Sequence, residues 1–187
     1  MKADAVYRTL REALAPFFRA GGFKRTSSLL GWSRPHDDNH VVVWCQVSQD
    51  GWDAFAGSKF TVEFQVSEEP VIGTPAIRRC RLPRLLGDAG REEIRVLQNR
   101  VIASLARPPR GHPLLLLPEP GRQRYLEKFK TIDRPYGPTD DIWLRYGRQE
   151  HIESWAAFVL RELPGCLRQA ETWGASTGVA GIFSERS

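Results

Sequence analysis

The chain has 187 residues, a length that fits one domain with its own hydrophobic core. Its apolar fraction of 41% and aromatic fraction of 10% are ordinary for a globular protein, which excludes a disordered or fibrous chain. The net charge of +5 raises the question of an anionic partner. We therefore expect a single domain over residues 1–187, with residues 175–187 forming a frayed tail.

No apolar run in the sequence is long enough for a signal peptide or a membrane span. Lys2, Asp4 and Arg8 interrupt the N-terminus with charge. The leucine run Leu114 to Leu117, like every other apolar run in the sequence, is far short of the roughly 20 residues that cross a bilayer. We expect a cytoplasmic protein without membrane partners.

The first predicted element is an amphipathic helix over residues 3–20. Its apolar residues recur at the three-and-four spacing of one helix face: Val6, Leu10, Ala13, Leu14 and Phe17. Pro16 is expected to kink or restart this helix, and Gly21-Gly22 to end it.

Strand patterns follow the helix. Residues 28–34 and 41–47, separated by a polar turn at 35–39, predict a β-hairpin. Residues 60–66 alternate strictly between apolar and polar, which predicts a half-exposed third strand. Residues 142–146 fit either a last strand or a first helical turn, and we favour the strand.

The second half of the sequence is mainly helical. Pro70 to Pro83 predicts an irregular crossing, and a helix follows from Asp88 or Gly90 to Ala106. The proline-rich residues 107–121 predict a connector packed over the domain, and 123–129 a short helix. A long helix begins at Gln149, is kinked or divided at Pro164-Gly165, and closes at Gly174.

Together these elements predict an α+β fold. Consecutive strands with short polar connections most often pair antiparallel. We expect an antiparallel β-meander of three or four strands packed against the N-terminal helix and two or three further helices.

Positive charge is concentrated in the middle of the chain, where residues 78–130 hold thirteen Lys or Arg and five Asp or Glu. Arg78, Arg79, Arg81 and Arg84 form its tightest group and are candidates for binding a partner or phosphate. A solvated charged surface is the alternative. Trp52, within a polar loop, is the tryptophan expected to be exposed on a contact surface.

Two groups of residues could support metal or acid-base chemistry. His36, Asp38 and His40 are possible metal ligands, although a solvated hairpin loop explains the same residues. The second group is Asp140, Asp141 and His151, for which helix capping is the alternative.

No motif of a known catalytic or nucleotide-binding class is present. The sequence lacks GxGxxG, GxxxxGK[ST] and GxSxG. Cys45, Cys80 and Cys166 are odd in number and have no CxxC spacing, so we expect reduced, packed thiols. We expect no cofactor and lean against an enzyme.

Several short motifs in the first half of the chain are found in one known group. These are Gly22-Phe23-Lys24, Gln46-Val47-Ser48, the strand 60–66, and the Cys-x-Leu-x-Arg stretch at 80–84. Their order resembles a widespread bacterial family of uncharacterised domains. The resemblance implies an α+β fold with an antiparallel sheet, and it carries no catalytic residues or ligand with it.

The leading hypothesis is therefore a non-enzymatic module that binds another protein. The alternative is a nucleic-acid-associated protein that uses the arginine-rich segment 78–130. A metal-dependent or acid-base hydrolase at the two groups named above is a third, less favoured hypothesis.

Overall fold

A computed structural model describes residues 3–26 and 30–175 of the chain. The predicted tail beyond residue 175, and residues 28 and 29 of the predicted first strand, lie outside the described residues. The helices are α1 (Ala3–Ala20), α2 (Asp88–Ser104), α3 (Gly121–Glu127) and α4 (Gln149–Ala175). The strands are β1 (Lys24–Arg25), β2 (Leu30–His36), β3 (Asn39–Val47), β4 (Ser58–Ser67), β5 (Arg78–Arg81) and β6 (Leu144–Tyr146).

These strands form one antiparallel sheet, which confirms the predicted α+β fold. The order is β1-β2-β3-β4-β5, and β6 pairs with the N-terminal end of β4. The β2–β3 hairpin places Leu30 opposite Cys45 and His36 opposite Asn39, so its turn is only Asp37-Asp38. Asp37 adopts a φ of 50°, which an aspartate tolerates better than most side chains.

The main core lies between one face of the sheet and the helices α1 and α4. Alternate residues of β4, including Phe60, Phe64 and Val66, point into it. Leu10 from α1 and Trp155 from α4 meet them there and are almost fully buried. This is the packing that the apolar stripes of the two helices predict.

Residues 60–66 of β4 are buried on the opposite face of the sheet as well, so the prediction of a half-exposed third strand is wrong. Thr61, Glu63 and Gln65 of β4 are at most 4% exposed. Residues 68–77 fold back over this face, where the Gln65 side-chain amide donates to Val71 O at 2.9 Å and accepts from the Gly73 amide at 3.2 Å. The Gln65 side chain therefore holds in place the segment 68–77 that covers it.

Three further boundaries differ from the prediction. Residues 78–81, expected in an irregular crossing, form β5 because they pair with β4 from Glu63 to Val66. α1 continues through Pro16, and α4 through Pro164 and Gly165, without division. Tertiary packing of the two helices on the sheet outweighs these local helix-breaking residues.

The proline-rich connector packs against a second, smaller core, as predicted. Tyr125 and Phe129 are buried there with Ala56, and Leu114 and Leu115 of the connector pack against them. This small core fixes the loop 50–57 beside α3. It thereby places several charged side chains around a common cavity.

Candidate functional site

Two of the four arginines proposed from the sequence, Arg79 and Arg81, share one buried carboxylate. Arg79 Nε donates to Glu63 Oε2 at 2.7 Å, and Arg81 Nε lies 3.5 Å from Glu63 Oε1. Arg79 also lies over the ring of Trp44 at 4.8 Å, and Arg81 pairs with Asp141. Both guanidiniums therefore have charged partners within the protein.

The other two arginines of this group have different surroundings. Arg78 lies over the ring of Trp173, 5.0 Å from its centroid. Arg84 lines a hollow of about 390 Å³ together with Arg79, Arg81 and the carboxylates of Glu63 and Asp141. The structure thus brings three of the four arginines together, in a hollow where carboxylates offset much of the positive charge.

Many of the remaining charges of segment 78–130 are paired locally. Four ion pairs join residues three apart in the sequence: Arg91 with Asp88, Arg95 with Glu92, Arg122 with Glu119 and Lys130 with Glu127. The excess of basic residues in this segment therefore does not form one continuous unpaired surface. This weakens the charge argument for a nucleic-acid site there.

Trp52 is exposed, as predicted. With 44% of its surface accessible, it borders a hollow of about 470 Å³ that also includes Ala3, Val47 and Tyr146. Trp32, Trp44, Trp155 and Trp173 are buried. A role for Trp52 in partner binding stays a prediction.

The candidate metal ligands His36, Asp38 and His40 lie around the β2–β3 turn. His40 Nδ1 is 2.9 Å from the backbone oxygen of Glu68, and His36 Nε2 is 3.8 Å from Asp37 Oδ2. Within residues 3–26 and 30–175, no group of three or more His, Cys, Asp or Glu is placed to hold a metal ion.

Asp140, Asp141 and His151 each contact different partners. Asp140 accepts hydrogen bonds from Arg134 and from the Gly137 amide, and these lower its pKa to about 2. Asp141 pairs with Arg81 on the back of the sheet. The carboxylates therefore serve in ion pairs and turns, and no contact joins either of them to His151.

His151 forms a hydrogen bond with a serine, although the arrangement does not suit nucleophilic catalysis. Its Nδ1 accepts from the amides of Gly147 and Arg148 at 3.0 and 3.3 Å, so the proton of the neutral ring lies on Nε2. That nitrogen lies 3.0 Å from Ser104 Oγ, which itself donates to Val101 O at 2.7 Å. The imidazole therefore donates to the serine and cannot accept its proton.

The three thiols are equally unsuited to attack. Cys45, Cys80 and Cys166 are free, and burial raises their pKa values to about 12, 11 and 12 respectively. A thiol with so high a pKa is protonated near neutral pH and is a poor nucleophile.

Another group of arginines lies between α1 and the β1 edge of the sheet. We call it the arginine groove and define it by Arg8, Arg11, Arg19 and Arg25. The last three line a hollow of about 380 Å³, and no Asp or Glu is among the described residues of its wall. Arg8 and Arg11 continue into a neighbouring hollow of about 350 Å³, which contains one carboxylate, Asp4.

The arginine groove is built from a helix stripe and a strand end. Arg8, Arg11 and Arg19 follow three-and-four spacing with Ala15 on the exposed face of α1. The guanidiniums of these three arginines form no hydrogen bond or ion pair with another described residue. Arg25 of β1 donates to Gly31 O and lies over the Trp32 ring at 5.4 Å, and Trp32 is itself only 2% exposed.

Arg11 and Arg25, two cations of the arginine groove, repel each other. The pKa of Arg25 is lowered, first by its partial burial and then by the positive charge of Arg11. An anion bound between them would relieve this repulsion.

Sequence reasoning missed the arginine groove because it counted charge along the chain. The signal was present in the outer stripe of the predicted first helix, where Arg8, Arg11 and Arg19 have the same spacing as the apolar stripe. The approach of Arg25 to Arg11 depends on the tertiary fold.

Comparisons with known proteins found no matching protein family, curated protein or solved structure. No helix in the described part of the chain is long and apolar enough to cross a membrane.

Proposed function

We propose that the protein is a non-enzymatic binding module that holds an acidic segment of another protein in the arginine groove. One observation carries the proposal: Arg11, Arg19 and Arg25 line a single hollow, and none of the described residues in its wall is a carboxylate. Natural surfaces usually intersperse charges of both signs. The Arg11 and Arg19 guanidiniums have no hydrogen-bond or ion-pair partner among the described residues, which makes this hollow complementary to carboxylates.

The dimensions of the arginine groove suit a short extended segment. Arg8 and Arg19 are eleven residues apart on α1, which corresponds to about 16 Å along a helix axis. An extended chain advances about 3.3 Å per residue, so about five residues would span the stripe. Two or three Asp or Glu side chains in such a segment could each face an arginine.

A protein segment fits this site better than nucleic acid does. Proteins that bind single strands combine cationic grooves with exposed aromatic rings on which bases stack. Phe23 and Trp32, the aromatic residues of the hollow, are less than 10% exposed.

The surroundings of the nucleophilic and titratable groups support a non-enzymatic role. Ser104 accepts a hydrogen bond from His151, and Asp140 forms an ion pair with Arg134. The buried thiols have raised pKa values.

The proposal can be tested by equilibrium binding of a fluorescent peptide rich in glutamate. The test variant carries Arg11→Glu and Arg19→Glu, and a control variant carries Arg110→Glu and Arg124→Glu, which make the same change of net charge on another surface. Arg110 and Arg124 are exposed. A single-stranded oligonucleotide of equal charge serves as the second probe.

We expect the wild type and the control variant to bind the peptide, with an affinity that falls as salt rises. The Arg11→Glu, Arg19→Glu variant should lose binding by at least about tenfold. Equal binding by both variants would contradict the assignment to the arginine groove. A clear preference for the oligonucleotide would show that the ligand of the arginine groove is nucleic acid and not a protein segment.

A further inference from the structure

A separate cavity lies on the other side of the sheet, between the loop 50–57, β4, β6 and α3. Its volume is about 260 Å³, slightly below the roughly 300–1,000 Å³ of pockets for drug-sized ligands. Its charged wall residues are Asp50, Lys59, Glu127, Lys128 and Arg145. A cavity of this size suits a ligand smaller than a drug-sized molecule.

Arg145 is the unusual residue of this cavity. Its backbone is fixed, because its amide donates to Gln98 Oε1 at 2.9 Å and its carbonyl accepts from Trp155 Nε1 at 2.7 Å. Its guanidinium, however, has no hydrogen bond or ion pair with any other described residue. Burial lowers the pKa of Arg145, as expected for a cation partly removed from water without a counter-ion.

The carboxylates of the cavity have other partners. Asp50 pairs with Lys59, with 2.9 Å between Oδ2 and Nζ. Glu127 accepts from Gln123 at 2.6 Å and pairs with Lys130 at 2.5 Å. Neither carboxylate contacts Arg145.

Two further cations lie near Arg145. Lys59 is its cross-strand partner, so two like charges lie side by side on one face of the sheet. Lys128 lines the same wall. Its positive charge, like that of Lys59, lowers the pKa of Asp50. The cavity therefore has more positive than negative charge, and its most buried cation lacks an acceptor.

We propose that this cavity binds a small oxyanion, in which a carboxylate or phosphate group accepts hydrogen bonds from the Arg145 guanidinium. Such a group matches the planar fork of donors that arginine presents. Lys128 supplies a second positive charge. The site is distinct from the arginine groove, so the failure of either proposal would leave the other standing.

The test measures binding of inorganic phosphate and of succinate by calorimetry, at ionic strength matched with sodium chloride. The proteins are the wild type, Arg145→Gln, and Arg110→Gln as a control that removes one exposed arginine elsewhere. We expect saturable binding of at least one anion to the wild type and the control. Arg145→Gln should weaken binding by at least about tenfold, since it removes charged hydrogen bonds.

The two anions distinguish the source of the oxyanion. Tighter binding of phosphate would indicate a phosphate-bearing ligand, and tighter binding of succinate a carboxylate ligand. Absence of saturation by both anions in the millimolar range, or equal binding to wild type and Arg145→Gln, would overturn the proposal.

Thermal unfolding separates binding from a structural role of Arg145. Without an anion, Arg145→Gln should unfold at the same or a higher temperature than the wild type, because it removes an uncompensated, partly buried cation. The bound anion should raise Tm of the wild type and not of the variant. A variant that melts earlier without anion would show that Arg145 stabilises the fold, which would overturn the proposal.

Discussion

Glu63 and Arg79 form an ion pair across adjacent strands, with 2.7 Å between Oε2 and Nε, although the glutamate is only 4% exposed. The same carboxylate lies 3.5 Å from Arg81. A buried carboxylate needs such partners, since transfer of an isolated charge out of water is strongly unfavourable. The pair therefore assigns Arg79 and Arg81 a structural role at the back of the sheet.

Glu63→Gln should lower the free energy of unfolding by about 1–3 kcal/mol, because both arginines lose their shared counter-charge. The loss is smaller than for a fully buried pair because Arg79 and Arg81 are partly exposed. Urea unfolding measures it. The control Glu92→Gln breaks an exposed helix pair with Arg95 and should change stability little. Equal effects of the two variants would contradict the structural role of Glu63.

Gln65→Leu should loosen the segment 68–77, which covers this part of β4. The side chain holds this segment through Val71 O and the Gly73 amide, so its loss should cost about 1–3 kcal/mol. The Gly73 amide should also exchange its hydrogen faster. The matched control is Gln46→Leu on the neighbouring strand, where the glutamine is half-buried. If Gly73 exchanged at the same rate in the wild type and Gln65→Leu, the anchoring role would be wrong.

Gly57→Ala and Gly51→Ala should differ in stability although both glycines have positive φ, of 68° and 80°. A Cβ at Gly57 would lie 2.0 Å from the carbonyl oxygen of Tyr146, whereas one at Gly51 would meet no atom within 4 Å. Gly51→Ala should cost about 1–2 kcal/mol for its backbone conformation. Gly57→Ala should cost clearly more, because β6 must move. Equal unfolding midpoints in urea would contradict the close approach at Gly57.

Stability should fall as His151 is protonated. Burial lowers its pKa from the ordinary 6.5, and Nδ1 already accepts from two amides. The unfolded chain therefore takes up this proton first as the pH falls. The contribution of His151 to the free energy of unfolding is complete above pH 6.5 and declines below it.

Urea unfolding between pH 8 and 5 would measure this effect. His151→Asn keeps a side-chain acceptor at the helix start and does not titrate, so it should show a smaller loss of stability over the acid half of this range. His40→Asn serves as the control and should keep the pH dependence due to His151. An identical pH profile for the wild type and His151→Asn would refute the assignment.

Local patterns predicted much of the fold. The apolar stripe of α1 and the β2–β3 hairpin follow from periodicity and turn residues, which depend on near neighbours in the sequence. The burial of Gln65 could not be predicted in this way, since its alternation with apolar residues is also that of a half-exposed strand. Only the folding back of residues 68–77 buries it.

The sites were harder to predict than the elements. Arg79 and Arg81 are an obvious basic cluster in the sequence, but Glu63, which partners them, is 16 residues or more away. Arg11 and Arg25 are separated by the end of α1, and their proximity follows from the packing of that helix on the sheet edge. Charge density along the chain therefore identified the arginines that pair with Glu63 and missed the arginine groove.

The most direct test of the arginine groove is to map where an acidic peptide binds. The protein is labelled with nitrogen-15 and titrated with a short glutamate-rich peptide, and the shifts of its backbone amide signals are followed by nuclear magnetic resonance. We predict that the largest shifts fall on the exposed face of α1 around Arg11 and Arg19 and on β1. Largest shifts at β5, around Arg79 and Arg81, would contradict the account.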